Sequence, residues 1–190
     1  MSALRRTIEV VSRTSGPSIA LTRVMLPRRP ERLNSFDYLG LHAYFLTYCT
    51  DQRHEAFVEA DCVEVVSTQI LRAAADEQFA LVAYCYMPDH LHLLVNGGQE
   101  NSDCRAFIKR SKQFSGFYYQ KAFGRRLWQR YGYEHVLRGD EALLSVARYI
   151  LENPVRAGIA KSVSTYPFTG SPLYSVEEIL DSLPWQHRSV

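Results

Sequence analysis

No stretch of this chain approaches the ~20 uncharged apolar residues that a membrane-spanning helix requires, and its N-terminus lacks the apolar centre of a signal peptide. A membrane helix and secretion are not expected; a cytoplasmic protein is. Cysteine pairing is equally absent. Cys49, Cys62, Cys85 and Cys104 are widely scattered with no CxxC pair, a spacing that fits reduced thiols rather than a disulfide framework or a zinc knuckle. The sequence contains no Gly-rich phosphate loop, no HExxH and no serine or cysteine triad signature. It has no internal repeat and no low-complexity block. Charge excess is small as well, +2 overall, so only the distribution of charges can speak about partners.

What is present suits one α+β domain. With 190 residues and 46% hydrophobic content the chain can bury a single core. Residues 1 to 36, including "LPRRPERLNSF", read as an irregular arm, either a loosely packed tail or a basic arm touching a polyanion. "LHAYFLTYCT" (41–50) reads as a strand. Cys62, Val65, Val66, Ile70 and Ala73 keep helical spacing, giving a long helix from Val58 to about Ala75. "QFALVAYCYM" (78–87) is apolar on both faces, as a central strand is, and Pro88-Asp89 turns it into a hairpin with the next strand. A second long helix is expected from about Asp103 to Ala122, capped by Asn101 or Ser102 and stopped by Gly124. "YGYEHVLR" (131–138) is a further strand, and Asp140 is placed to cap a third helix that Pro154 terminates. "SVEEILDSLPWQH" (175–187) reads as a short helix and tail. The order predicts an antiparallel sheet with helices mainly on one face.

Two features stand out. In "MPDHLHLLV" (87–95), His90 and His92 sit at i and i+2 of a strand and so share a face, while Leu91, Leu93 and Val95 point the other way. Such a pair can hold one metal ion, or can be two polar residues on a wet face. On the third helix, Leu143, Leu144, Ala147, Ile150 and Leu151 form an apolar stripe. Tyr149 lies nearly opposite its centre at ~100° per residue, and Asn153, four residues on, shares its side. An exposed tyrosine and an ordinary Asn-Pro helix end are the plain alternatives.

Taken together, "MPDHLHLLV", "LWQRYGYEHVLR" and "YILENPVRAGI" (149–159), with "RRPERL" and "YFLTYCT" upstream, resemble the HUH endonuclease superfamily. Within it the chain is most similar to the single-tyrosine transposases associated with REP hairpins. The likeness runs from about Arg28 to Phe168. It implies a ferredoxin-like HUH fold, with residues 37–170 as the catalytic domain and 171–190 as a tail. It also implies a bacterial protein and DNA strand cleavage through a 5′-phosphotyrosine. Carried over by position, it makes Tyr149 the nucleophile and His90, His92 and Asn153 the ligands of Mg²⁺ or Mn²⁺. Some relatives carry Gln at the third ligand position, one methylene longer than Asn153. The implied partner is single-stranded or hairpin DNA, the assembly a monomer or a homodimer.

Between Arg105 and Arg130 lie eight basic residues and no acidic one: Arg105, Lys109, Arg110, Lys112, Lys121, Arg125, Arg126 and Arg130. Basic groups neutralise phosphates and aromatics stack on unpaired bases, so these residues and Trp128 are expected at a DNA surface, the "GRRLWQR" turn (124–130) above all. Phe107, Phe114 and Tyr118, at helical spacing, are expected in the core. Glu134 and His135 either position DNA or metal or are satisfied structurally. A hairpin-binding regulator with little or no cleavage, and a water-using phosphodiesterase, are the competing functional readings.

Overall fold

A computed structural model describes residues 37–137 and 142–183. The arm at 1–36, Asp140 and the last part of the tail lie outside the described residues. The elements follow the expected order: β1 (Ala43–Cys49), α1 (Ala60–Asp76), β2 (Phe79–Met87), β3 (His90–Gly97), α2 (Cys104–Phe123), β4 (Tyr133–Val136) and α3 (Leu143–Leu151). Short additions are α4 (Asn153–Arg156), β5 (Thr169–Gly170), α5 (Val176–Leu180) and a 3₁₀ turn at Asp51–Arg53. The sheet is antiparallel with strand order β4-β1-β3-β2-β5, which puts the histidine strand at its centre.

Strand alternation sorts the core into two layers. Tyr44, Leu46, Tyr48, Leu91, Leu93 and Val95 pack with α1 and α2 on one face; Phe45, Leu94, Ala83, Cys85 and Met87 pack with α3 and α5 on the other. The two long helices thus share one face, and a short one covers the other. A register shift between Leu81 and Ala83 explains why β2 lacks a clean period. Before the bulge, Phe79 and Leu81 face the long helices; after it, residues of the same parity face α3. The end of β3 has no room for a side chain. A Cβ on Gly97 would stand 2.1 Å from the Gly40 carbonyl oxygen, inside any van der Waals contact.

Three local expectations are corrected. The cap of α2 is Asp103, whose side chain accepts from the Arg105 and Ala106 amides; Ser102 instead donates to the Gln78 carbonyl. Gly124 does end that helix, in a left-handed conformation at φ 68°. The buried seam of α2 is Cys104, Phe107, Ser111, Ser115 and Tyr119, so Tyr119 is core while Tyr118 is 38% exposed. Two serines in the seam shift the apparent apolar stripe. They are there because Tyr48 and Trp128 bury polar tips: the Tyr48 hydroxyl meets Ser111 Oγ at 3.0 Å and Trp128 Nε1 donates to Ser115 Oγ at 2.8 Å. Finally, α3 ends three residues before Pro154, which sits in the first turn of α4 rather than stopping the chain's helical course.

Candidate active site

β3 carries His90 and His92 on the α3 face of the sheet, and their Nε2 atoms stand 3.1 Å apart. Their other ring nitrogens are engaged. His90 Nδ1 meets Asp89 Oδ1 at 2.6 Å, and His92 Nδ1 meets Thr47 Oγ1 at 2.9 Å. A carboxylate at Nδ1 selects the Nδ1–H tautomer of His90 and leaves its Nε2 lone pair facing His92. Burial holds both imidazoles below the usual range, overriding the opposing pull of Asp89 on His90. His92 is pushed down to about 3, by burial first and then by His90 and Arg53. Both rings are therefore neutral at physiological pH, the form that ligates metal.

The donor geometry fits a divalent cation. Two nitrogens each ~2.1 Å from one ion, subtending roughly a right angle, lie ~3 Å apart, close to the separation observed. Among the described residues no cluster of three or more His, Cys, Asp or Glu is disposed to hold a metal, so further ligands would be neutral side-chain oxygens, phosphate oxygens or water.

The depressed histidines carry a stability signature. The unfolded chain protonates a histidine near pH 6.5, whereas His92 in the fold stays neutral down to about 3. Its contribution is fully present above pH ~6.5 and is lost as pH falls through that window. Urea unfolding of metal-free protein between neutral pH and about pH 5 is expected to show a decline of up to about 1.4 kcal/mol per pH unit from this group. His92→Gln should flatten that slope; an unchanged slope would remove His92 as its source.

Phe45 joins the histidines to the tyrosine helix. Its ring lies 5.4 Å from His92 and 6.0 Å from Tyr149, centroid to centroid. Tyr149 is thus on the sheet side of α3, half-buried against the core, not opposite it. The other flank of the helix is covered from the C-terminal segment: Ser182 Oγ donates to the Leu144 carbonyl and Arg148 Nη1 donates to the Ser182 carbonyl. That covering widens the buried arc beyond the stripe legible in the sequence. The Arg156 guanidinium lies 4.3 Å above the Tyr149 ring centroid. Asn153 Nδ2 donates to the Tyr149 and Ile150 carbonyls, so its amide caps α3 and only Oδ1 remains for a ligand.

Sequence reasoning missed Asp89 and Thr47. Asp89 stood in view beside His90. Thr47 depends on register, since it pairs with His92 across β1 and β3. Tyr133 was missed for the same reason; it pairs with Thr47 from β4 and its ring is 6.0 Å from Phe45. His135 pairs with Phe45 and so shares this face, whereas Glu134 faces away and accepts from the Tyr38 hydroxyl.

The basic residues separate into two groups. Arg105, Lys109, Lys121, Arg125, Arg126 and Arg130 are exposed, although Arg105 lies over the Tyr38 ring and Arg126 engages the Trp128 carbonyl and Asp51. Lys112 and Trp128 are committed to the fold. Trp128 is buried, 5% exposed, and offers no face for stacking. Lys112 donates to the Gln129 carbonyl at 2.6 Å, and burial lowers it to about 8. Arg110 is exposed as well, and its guanidinium bridges to Glu77 at 2.6 Å and to Asp76. The 124–132 loop is stitched to the histidine end of the sheet by Asp51 N–H to the Leu127 carbonyl and Gln129 N–H to the Cys49 carbonyl. Cys49 is the cross-strand neighbour of His90.

Comparison with known proteins is concordant. A family model described as Transposase IS200 like matches residues 39–153. A Haemophilus influenzae protein assigned to the REP-associated tyrosine transposases is 29% identical over 139 residues, covering 66% of this chain and 77% of that protein. The REP-associated tyrosine transposase of Escherichia coli K12 is 26% identical over 100 residues, covering 53% and 59% respectively. A solved REP-associated tyrosine transposase bound to a REP hairpin superimposes with a TM-score of 0.59 at 23% identity, over 70% of this chain and 79% of that one, a likeness of fold.

Proposed function

The chain belongs to the IS200-like transposase family, and from that membership we propose that it cleaves and rejoins single-stranded DNA at REP-like hairpins, with Tyr149 as nucleophile and a divalent cation at the histidine pair. The observation that carries this reading is the convergence of two neutral imidazole nitrogens, 3.1 Å apart, on the sheet face that also holds Tyr149 across Phe45. His90 and His92 offer Nε2 lone pairs, and Asn153 Oδ1 is the third side-chain donor. Mg²⁺ or Mn²⁺ bound there supplies polarisation of the scissile phosphate and offsets its developing charge.

The protein's own groups then do the rest. The Tyr149 oxygen attacks phosphorus and loses its proton; the bond to the 3′ oxygen breaks, and that oxygen takes up a proton. A 5′-phosphotyrosine and a free 3′-hydroxyl result, and the reverse step rejoins strands with no nucleotide cofactor. A phenol needs a neighbouring cation or base to act at neutral pH, and Arg156 brings a cation to the Tyr149 ring. The hairpin as partner is supported by what the named relatives are. Among the described residues no helix is long and apolar enough to cross a membrane.

The test is a denaturing gel of labelled single-stranded hairpins with Mg²⁺ or Mn²⁺. Strand cleavage that EDTA abolishes is expected, and EDTA-resistant cleavage would contradict the metal role. Affinity should rest on the exposed basic loop beside the histidine end. Replacing Arg125, Arg126 and Arg130 with Ala is expected to weaken hairpin binding and to flatten its log–log salt dependence by up to ~0.7 to 0.9 per phosphate contact removed. Titrations at several salt concentrations measure this, and an unchanged slope would turn that loop away from DNA.

A further inference from the structure

Directly after β1 the backbone adopts an unusual turn. Gln52 and Arg53 both have left-handed φ values, 53° and 56°, which L side chains rarely adopt. The turn is held in place from two sides. Arg53 N–H donates to the Thr50 carbonyl, and Thr50 N–H donates to the Asp89 carbonyl. Thr50 Oγ1, fully buried, also lies 2.9 Å from the Asp89 carbonyl oxygen and 2.7 Å from that of His54. This turn and the Pro88-Asp89 turn are therefore one stitched unit, and its product is a single contact. Arg53 Nε stands 2.7 Å from Asp89 Oδ2.

We propose that Arg53 and Asp89 are positioning residues for His90: Arg53 fixes the carboxylate, and the carboxylate fixes the imidazole plane and its tautomer. Each oxygen of Asp89 has one assigned task, Oδ2 to Arg53 and Oδ1 to His90 Nδ1 at 2.6 Å. Arg53 is braced in turn, because its Nη1 donates to Cys49 Sγ at 2.9 Å. The neighbouring Asp51 does not compete for it, being engaged by Arg126. With the Nδ1 proton committed to Asp89, the His90 Nε2 lone pair must face His92, so the single proton between the two Nε2 atoms belongs to His92 in the cation-free protein. For His92 to offer Nε2 to a cation as well, its proton would sit on Nδ1, 2.9 Å from Thr47 Oγ1, which could accept it. The metal part of this inference rests on the proposed function; the tautomer part does not.

The strained backbone supplies a clean variant. Glycine adopts the left-handed φ of Arg53 without steric cost, so Arg53→Gly removes the guanidinium while keeping the turn, and a cooperative thermal transition is expected to show that the fold is retained. Side-chain ¹⁵N NMR of the metal-free protein should show His90 as the Nδ1–H tautomer, shifting toward Nε2–H in Asp89→Ala and remaining largely Nδ1–H in Asp89→Asn, whose amide oxygen still accepts. Mn²⁺ affinity, read by electron paramagnetic resonance, should fall ~10- to 100-fold in Asp89→Ala and by a smaller factor in Arg53→Gly. The double variant should match Asp89→Ala alone, since Arg53 acts through Asp89. An unchanged His90 tautomer in Asp89→Ala, or losses that multiply in the double variant, would overturn the proposal. Native protein whose Mn²⁺ binding is indifferent to His90→Ala would instead overturn the metal reading, with the NMR result still deciding the role of Asp89.

Discussion

Tyr149→Phe is expected to bind labelled hairpin with nearly native affinity and to form neither cleaved strand nor covalent adduct, a loss of ~10³-fold or more in cleavage rate. The expectation rests on where the ring sits, on the face of the sheet that carries the histidines and across Phe45 from His92. The ring keeps its edge-on contact with Phe45 and its place beneath Arg156, so phenylalanine preserves packing and removes one atom. The rival tyrosines are distinguished by position. Tyr118 and Tyr119 belong to α2, on the sheet face away from the histidines, one exposed on the helix's outer side and the other buried at 5%. Tyr133 is the serious rival, because it shares the site's face and borders Thr47. Tyr133→Phe should keep adduct formation.

The second large effect is expected at the histidine pair. His90→Ala should lower cleavage by ~10²-fold or more and abolish Mn²⁺ binding at the site, while hairpin affinity, carried by phosphate contacts elsewhere, stays largely intact. His90 is the better choice for the single substitution. Its side chain is 18% exposed, whereas His92 is more deeply buried and packs on Phe45. His92→Gln keeps the volume and should have a similar effect on cleavage. Full activity in either variant would separate the chemistry from this pair.

The contrast between what was legible in sequence and what was not follows the range of the interactions. The histidine face was legible because side-chain parity is a property of the strand itself, and β3 obeys it: Leu91, Leu93 and Val95 fall in one core layer and His90 and His92 on the other face. The hairpin at Pro88-Asp89 and the stop at Gly124 are likewise local. Errors arose where a distant segment decided the environment. Tyr149 faces the sheet because the C-terminal segment covers the opposite flank of α3, and nothing within the helix encodes that. Trp128 read as a stacking platform because it stands among arginines, yet Tyr48, Phe57 and Ser115 enclose it. Lys112 counted as a DNA contact by charge, but three-dimensional proximity commits it to the 124–132 loop. Asn153 was read both as ligand and as cap; its nitrogen does cap α3, which leaves the ligand role to its oxygen alone.

The central claim is that one particular hydroxyl becomes bonded to DNA, and the most direct measurement is the peptide map of a trapped adduct. Cleavage after Arg148 and Arg156 releases residues 149–156, YILENPVR, which contain a single tyrosine; Tyr131 and Tyr133 travel together in 131–138, and Tyr118 and Tyr119 in 113–121. Native protein incubated with a single-stranded hairpin and Mn²⁺, denatured, digested with trypsin and nuclease and analysed by tandem mass spectrometry should show a nucleotide mass on Tyr149 in the 149–156 peptide. A nucleotide mass on the 131–138 or 113–121 peptide, or cleaved strand with no modified peptide at all, would contradict the account.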